Sequence, residues 1–66
     1  MKIERDYYPN GQLDREIPYH QGQKHGIERT WNDNGQLRYE TYHLYNEKVS
    51  QKEYQRHQLI EQLAGI

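Results

Sequence analysis

Polar and apolar side chains alternate along residues 3–19 in the manner of two antiparallel β-strands. Between the two alternating segments lie Pro9, Asn10 and Gly11, and an Asn-Gly pair accepts the positive φ angles that tight hairpin turns require. We therefore predict a β-hairpin at the start of the chain. Alternation assigns one set of side chains to a core face: Ile3, Arg5, Tyr7, Leu13, Arg15, Ile17 and Tyr19. The opposite face then carries Glu4, Asp6, Tyr8, Asp14, Glu16 and Pro18.

The chain repeats this hairpin. The tetrapeptide Asn-Gly-Gln-Leu at residues 10–13 returns at residues 34–37, 24 positions later, and Ile-Glu-Arg at residues 3–5 returns at residues 27–29. Periods of this length are typical of folds in which a small unit stacks on copies of itself. We predict an antiparallel meander of four strands, with a short fifth strand near Lys48 and Val49. The second copy places Ile27, Arg29, Trp31, Leu37, Tyr39, Thr41 and His43 on the core face, and Arg38, Glu40 and Tyr42 on the other.

The alternation ends at Ser50, where the signals of a helix begin. Ser50 and Glu53 match a capping box, in which the two side chains bind amide protons of the first helical turn. Gly65 is placed to end the helix. The helix either closes an open end of the sheet or presents an apolar stripe to another chain, with Tyr54 on its opposite side. Arg56, Leu59, Ile60 and Leu63 lie at the spacing i, i+3, i+4 and i+7 of one helix side, on which the last three are apolar.

These elements predict a mainly β fold with a C-terminal helix, an antiparallel β-hairpin meander of two repeats of about 24 residues capped by one α-helix. We expect a single domain over residues 1–66, with the first repeat at 3–26, the second at 27–49 and the capping helix at 50–64. A domain of this length buries only about 60% of the surface of its unfolded chain. Association of copies compensates for such a small core, so we expect a homodimer, formed through strand edges or through helices.

Composition and charge exclude several classes of function. The net charge is −1, and Lys and Arg are interspersed with Asp and Glu, so we expect no nucleic-acid binding. Cys is absent, which fits a reducing compartment. No apolar run approaches the roughly 20 residues that cross a bilayer, and residues 1–6 are too polar for a signal peptide. We therefore expect a cytoplasmic location and no membrane association.

The sequence also lacks a pattern that indicates catalysis, a cofactor or a metal. The four His residues have no recognisable ligand spacing, and we assign them structural or solvated roles. The carboxylates of Asp14, Glu16 and Glu40 alternate along strands as any half-exposed sheet requires. Ser50, the one serine, is explained as a helix cap. We expect no enzymatic activity, no cofactor and no metal.

The repeated residues resemble a known family. They lie at 8–13, Glu16, Tyr19, 22–26, Trp31, 34–37, Glu40 and Tyr42. In these positions the chain resembles the bacterial and phage variant of MORN-repeat proteins, whose members are often labelled antitoxin components of toxin–antitoxin systems. The resemblance covers roughly residues 3–49, and it implies successive hairpins in an elongated, twisted sheet that serves as an interaction or scaffold module. The second spacer departs from the pattern, because Asn46 and Ser50 replace the equivalents of Gly22 and Gly26.

Together these features predict a small protein–protein interaction module, in the form of a stoichiometric inhibitor that covers a partner protein. The inhibitor would be antitoxin-like or, in a phage, directed against a defence protein. One alternative is a structural homo-oligomer with no other partner, and another is a binder of a nucleotide or sugar on an aromatic sheet face. Aromatic rings with polar tips and exposed aliphatic residues favour interfaces. The residues assigned to partner binding are Tyr8, Tyr42, Tyr45, Tyr54, Leu59, Ile60 and Leu63.

Overall fold

The computed structural model describes residues 1–64 of the chain. Within them, six strands form one antiparallel sheet in the order β1-β2-β4-β5-β6, with β3 paired to β2, and one helix follows. The predicted fold class is confirmed, and β6 is the predicted short fifth strand. The elements are β1 (Lys2–Tyr7), β2 (Leu13–His20), β3 (Gln23–Lys24), β4 (Gly26–Trp31), β5 (Leu37–Leu44), β6 (Glu47–Val49) and α1 (Gln51–Ala64).

Both hairpin turns have the same local chemistry. Gly11 and Gly35 adopt φ angles of +87° and +91°, a region that glycine enters without steric penalty. In each turn the asparagine side chain accepts a hydrogen bond from the backbone N–H two residues later. The distance is 2.9 Å from Asn10 Oδ1 to the Gln12 N–H donor and 3.1 Å from Asn34 Oδ1 to the equivalent donor in the second hairpin. The sequence Asn-Gly thus sets the chain reversal, as predicted.

A β-bulge interrupts the first hairpin. Asp6 pairs with Arg15, whereas the next residue, Tyr7, pairs with Leu13. Asp14 is therefore an extra residue on β2, and beyond it every side chain of that strand lies on the opposite face from the one that uninterrupted alternation predicts.

The second hairpin has a bulge at the equivalent place. Thr30 pairs with Tyr39 and Trp31 pairs with Leu37, so the extra residue is Arg38, 24 positions after Asp14. A bulge repeated at the same offset is a property of the repeat unit rather than an accident of one hairpin.

The bulges overturn the predicted division of side chains between the two faces. Arg5 lies opposite Glu16, and Ile17 lies opposite Glu4, so Arg5 and Ile17 are on different faces. We call the two faces the core face and the helix face. The core face carries the three buried side chains Ile17, Thr30 and His43. The helix face carries Ile3, Arg5, Glu16, Pro18, Ile27, Arg29, Glu40 and Tyr42.

The two spacers that follow the hairpins fold alike although their sequences differ. Gln21 and Gly22 have φ angles of +52° and +79°, and Tyr45 and Asn46 have +50° and +72°. Two successive positive φ angles are those of a type I′ turn, and asparagine tolerates the position where the first spacer has glycine. After this turn β6 pairs with β5 as β3 pairs with β2. The repeat pattern therefore continues through β6, and the chain departs from it only at Ser50.

The helix begins as the sequence predicts. The Ser50 Oγ accepts a hydrogen bond from the Glu53 N–H at 3.1 Å, which satisfies one of the free amides of the first turn. Helix α1 therefore starts at the position where a third repeat would begin its first strand. The prediction that Gly65 ends the helix lies outside the described residues.

Candidate interaction surface

Helix α1 packs on the helix face of the sheet through one side only. The Tyr54 ring lies 5.4 Å from the Tyr42 ring, centroid to centroid, and Tyr54, His57 and Gln58 are half-buried at helical spacing. The Tyr42 hydroxyl lies 3.4 Å from Glu40 Oε1, and burial, together with that carboxylate, raises the pKa of Tyr42. The phenol is therefore a neutral hydrogen-bond donor. Two of the predicted partner-binding residues, Tyr42 and Tyr54, thus join the helix to the sheet.

The opposite side of α1 is exposed. Leu59, Ile60 and Leu63 have exposed fractions of 57%, 56% and 66%, although each is strongly apolar. Their spacing places them on the helix side away from Tyr54, as predicted. We call these three residues the α1 stripe. The helix therefore does both things that the sequence left open, since it covers one face of the sheet and leaves its apolar stripe accessible.

A groove adjoins the α1 stripe where the helix leaves the sheet. It has a volume of about 390 Å³ and is open to solvent. Apolar Leu44 and Ile60 line it together with the side chains of Glu53, Arg56 and His57. The groove extends the apolar surface of the stripe toward β5 and gives it a charged rim, an arrangement typical of protein interfaces.

Tyr45 belongs to a cluster of rings between the second spacer and the helix. Its ring lies 4.7 Å from His25 and 5.7 Å from His57, and its N–H donates a hydrogen bond to His25 Nδ1 at 3.2 Å. His20 lies 6.1 Å from His25 at the edge of this cluster. Sequence reasoning missed the cluster because its members come from two spacers and the helix. Within the described chain, no group of His, Asp and Glu is arranged to hold a metal ion.

Tyr8 lies apart from the other predicted partner-binding residues. It follows β1 next to the Asn-Gly turns, and its hydroxyl donates a hydrogen bond to the Trp31 carbonyl oxygen at 2.7 Å. Burial, reinforced by Asp14, raises the pKa of Tyr8, so its phenol is a neutral donor. Tyr8 therefore connects the two repeats, and the four tyrosines do not form one aromatic surface.

The comparisons with known proteins agree with this geometry. The model of the MORN repeat variant family matches residues 2–21 and 24–44. The chain belongs to this family. The two matched segments correspond to the two hairpins, and α1 lies outside both of them. No curated protein and no solved structure shows a significant match to the chain.

The protein is thus a small MORN repeat module with an added helix. Its repeats supply the sheet on which α1 packs, and the α1 stripe is the part of the molecule that the repeat pattern does not account for. Over residues 1–64, no helix combines the length and apolar character that a membrane span needs.

The equivalent positions Gln21 and Tyr45 of the two MORN spacers provide a test of the ring cluster. Both residues have a positive φ near +50°, a conformation that is unfavourable for a side chain with a Cβ atom by about 1 kcal/mol. Gln21→Gly is expected to raise the free energy of unfolding by about 1 kcal/mol, because Gln21 is exposed and the strain disappears. Tyr45→Gly relieves the same strain but removes the ring contacts with His25 and His57, so we expect no gain or a loss of about 1 kcal/mol.

Urea unfolding followed by circular dichroism measures both changes. Equal stabilisation by the two substitutions would show that the Tyr45 ring contributes nothing to the fold.

Proposed function

We propose that this protein is a protein-interaction module that binds a partner protein in fixed stoichiometry and acts by covering a surface of it, without turnover. The observation that carries the proposal is the exposed α1 stripe. Monomeric proteins rarely expose contiguous apolar side chains on one helix face without a binding role. A helix that lays such a face into a groove is a common mode of recognition.

The surroundings of the stripe support a protein as the partner. The adjoining groove contributes Leu44 to the apolar surface, while Glu53 and Arg56 supply charges of both signs at its rim. An apolar centre with a polar rim is the anatomy of a protein–protein interface. A nucleotide or sugar is less well supported. The rings that could stack on it already pack against one another, Tyr42 on Tyr54 and Tyr45 on His25.

More specifically, we propose that the protein is a cytoplasmic inhibitor, either antitoxin-like or directed against a host defence protein. Inhibition by occlusion requires only a folded scaffold and a contact surface that excludes the partner's own ligand. The repeat sheet serves as the scaffold, and the α1 stripe serves as the surface. The homodimer expected from the small domain is an alternative proposal, in which the exposed α1 stripes of two copies would cover each other.

The test is affinity purification of tagged protein from its native host, comparing the wild type with the double variant L59E/L63E. We expect a stoichiometric partner to co-purify with the wild type and to be lost from the variant, with an affinity at least about 100-fold lower, because two apolar anchors are removed from the centre of the interface. The matched control is Gln62→Glu, which adds a negative charge to an exposed position of the same helix without removing apolar surface. Light scattering gives the stoichiometry of the complex.

The outcomes separate the alternatives. Equal capture by L59E/L63E and Q62E would exclude the α1 stripe as the binding surface. A wild-type protein that purifies alone as a defined oligomer would favour the structural homo-oligomer, and loss of that oligomer in L59E/L63E would assign the stripe to contacts between copies.

A further inference from the structure

In the sheet formed by the described residues, 1–64, both ends expose unpaired strand edges. Strand β1 is the first strand of the sheet, and all six of its residues are exposed. At the other end, β6 pairs only with Tyr42–Leu44, so in the described chain the outer edge of β5 over residues 37–41 has no neighbouring strand. Exposed strand edges of this kind are templates for pairing with another strand.

The junction between the two repeats pairs strand edges that are equivalent to these two free edges. There, β2 pairs with β4 through Arg15 opposite Thr30 and Glu16 opposite Arg29. One repeat later, 24 residues on, the positions equivalent to Arg15 and Glu16 are Tyr39 and Glu40, which lie on the free edge of β5. One repeat earlier, the positions equivalent to Thr30 and Arg29 are Asp6 and Arg5, which lie on the free edge of β1. The two free edges therefore occupy positions equivalent to the two halves of the junction inside the chain, and they keep its Glu and Arg pair.

Charge favours the same pairing. Arg5, Glu16, Arg29 and Glu40 form one row across the helix face, each directly opposite the next. Arg5 Nε lies 3.8 Å from Glu16 Oε2, and Arg29 Nε lies 2.7 Å from Glu40 Oε2. The row begins with a positive charge on β1 and ends with a negative charge on β5, so a second copy would continue the alternation.

We propose that this protein associates head to tail with further copies of itself, β1 of one copy pairing with the free edge of β5 in the next. Arg5 of the second copy lies opposite Glu40, and its Asp6 lies opposite Tyr39. This contact is heterologous, so it adds copies in a row instead of closing a symmetric dimer. The proposal does not depend on the partner protein proposed above, because it uses strand edges and leaves the α1 stripe free.

The hairpin turns supply a second contact for the proposed junction. Within the chain, Asn10 Nδ2 donates a hydrogen bond to the Asp33 carbonyl oxygen at 3.0 Å, across the two repeats. Asn34 is held in the same turn geometry by its own Oδ1, which leaves its Nδ2 as a donor. The equivalent acceptor is the carbonyl oxygen of Pro9 in the second copy.

Helix α1 leaves the β5 edge accessible over the residues that matter. The chain at Ser50 and Gln51 takes the positions equivalent to Gly26 and Ile27, which limits the docking strand of the second copy to residues 4–7. Both pairing residues of that strand, Arg5 and Asp6, lie within this range. The helix itself turns back toward the first repeat, where its His57 ring lies 6.0 Å from His25.

Sedimentation velocity and light scattering over a wide concentration range test the proposal on the full chain. We expect the weight-average mass to rise from the 8.1 kDa of one copy to well beyond twice that value, without a plateau at the dimer. A constant mass of one copy would overturn the proposal, and so would a plateau at two copies, which indicates a closed dimer.

Charge-reversed variants test the register. Arg5→Glu places two carboxylates opposite each other at the junction, and Glu40→Lys places two cations there, so each variant alone is expected to associate at least about 100-fold more weakly. Each substitution also opposes a like charge inside the chain, Glu16 or Arg29, so the circular dichroism spectrum of each variant must first match that of the wild type. Mixed in equal amounts, the intact β5 edge of R5E accepts the intact β1 edge of E40K, and at the alternate junction the two substituted side chains have opposite charges, so mixed oligomers that grow beyond a dimer are expected. A variant R5E that still associates with itself, or a mixture that stays monomeric, would overturn the proposed register.

Two controls keep the result interpretable. Glu40→Gln retains a hydrogen-bond acceptor for Arg29 but removes the charge, and it is expected to weaken association less than E40K while leaving the circular dichroism spectrum unchanged. L59E/L63E is expected to associate as the wild type does. Loss of association in L59E/L63E with no loss in R5E would assign self-association to the helix and overturn the proposal.

Discussion

Replacing Gly26 with alanine is expected to lower the free energy of unfolding by about 3 kcal/mol. Gly26 has a φ of +127°, which a residue with a Cβ atom rarely adopts, and an added Cβ would lie 2.8 Å from Cγ of the Pro18 ring. Both effects act together, since the backbone is strained and the proline ring, held within β2, has little freedom to move away. A core of this size rarely supplies more than about 3–5 kcal/mol, so a loss of this magnitude would remove most of the stability of the fold.

Gly22→Ala is the matched control for this substitution. Gly22 also has a positive φ, +79°, but no atom lies within 4 Å of the position of its added Cβ. The expected loss is therefore only the conformational term of about 1 kcal/mol. Urea unfolding of the wild type and both variants measures the difference. If Gly26→Ala were no more destabilising than Gly22→Ala, close packing against Pro18 would have no part in the fold.

A gap in the pairing of β2 explains why Pro18 is tolerated inside a strand that has neighbours on both sides. Strand β2 pairs with β4 at Arg15 and Glu16 and with β3 at Tyr19 and His20, so Pro18 lies in the gap between them. Its carbonyl oxygen accepts a hydrogen bond from the His25 N–H at 3.1 Å. A residue without an N–H fits this gap because no ladder bond is required of it there. Gly26 then allows the chain to pass close to the proline ring.

The sequence was sufficient to predict the four hairpin strands, the short strand β6, the turns and the helix, but not the two-residue strand β3. Each of these elements depends on local chemistry: the Asn-Gly pairs set the reversals, and Ser50 caps the helix. The offset of 24 residues between the hairpins predicted that both fold alike. These signals are short in range and do not depend on how the strands pair.

The division of side chains between the two faces was not predictable in the same way. A hairpin without a bulge would pair Ile3 with Ile17 and Arg5 with Arg15, and it would place all four side chains on one face. The bulge at Asp14 shifts the register by one residue, and because strand side chains alternate, one residue is enough to exchange the faces. The exchange brings Arg5 opposite Glu16, so like charges no longer face each other.

The candidate interaction surface was predicted in part. The helical spacing of Leu59, Ile60 and Leu63 identified the α1 stripe, and the structure leaves all three side chains exposed. The roles of the tyrosines were harder to predict from the sequence, because they depend on contacts between residues that lie far apart in the chain. Tyr8 reaches Trp31 across the repeat junction, and Tyr45 adopts a positive φ that no sequence pattern indicates.

Ile17→Ala is expected to be the most damaging of the aliphatic truncations, with a loss of about 3 kcal/mol in the free energy of unfolding. Among the described residues, Ile17 is the one apolar side chain that is buried, with 6% of its surface exposed, and its buried companions on the core face are Thr30 and His43. Polar neighbours cannot expand to fill a cavity left by three methyl or methylene groups without losing their own contacts. The cavity therefore stays largely open, and most of the transfer free energy is lost with it.

Ile3→Ala provides the control, since it removes the same atoms from the neighbouring strand. Ile3 lies on the helix face with 38% of its surface exposed, so its truncation is expected to cost less than about 1 kcal/mol. Without the bulge, the two isoleucines would lie side by side in one core. Truncation of either would then lower the free energy of unfolding by a similar amount. Equal destabilisation by the two variants, measured by urea unfolding, would therefore contradict the register of the first hairpin, whereas a large difference between them is the result that the bulge at Asp14 predicts.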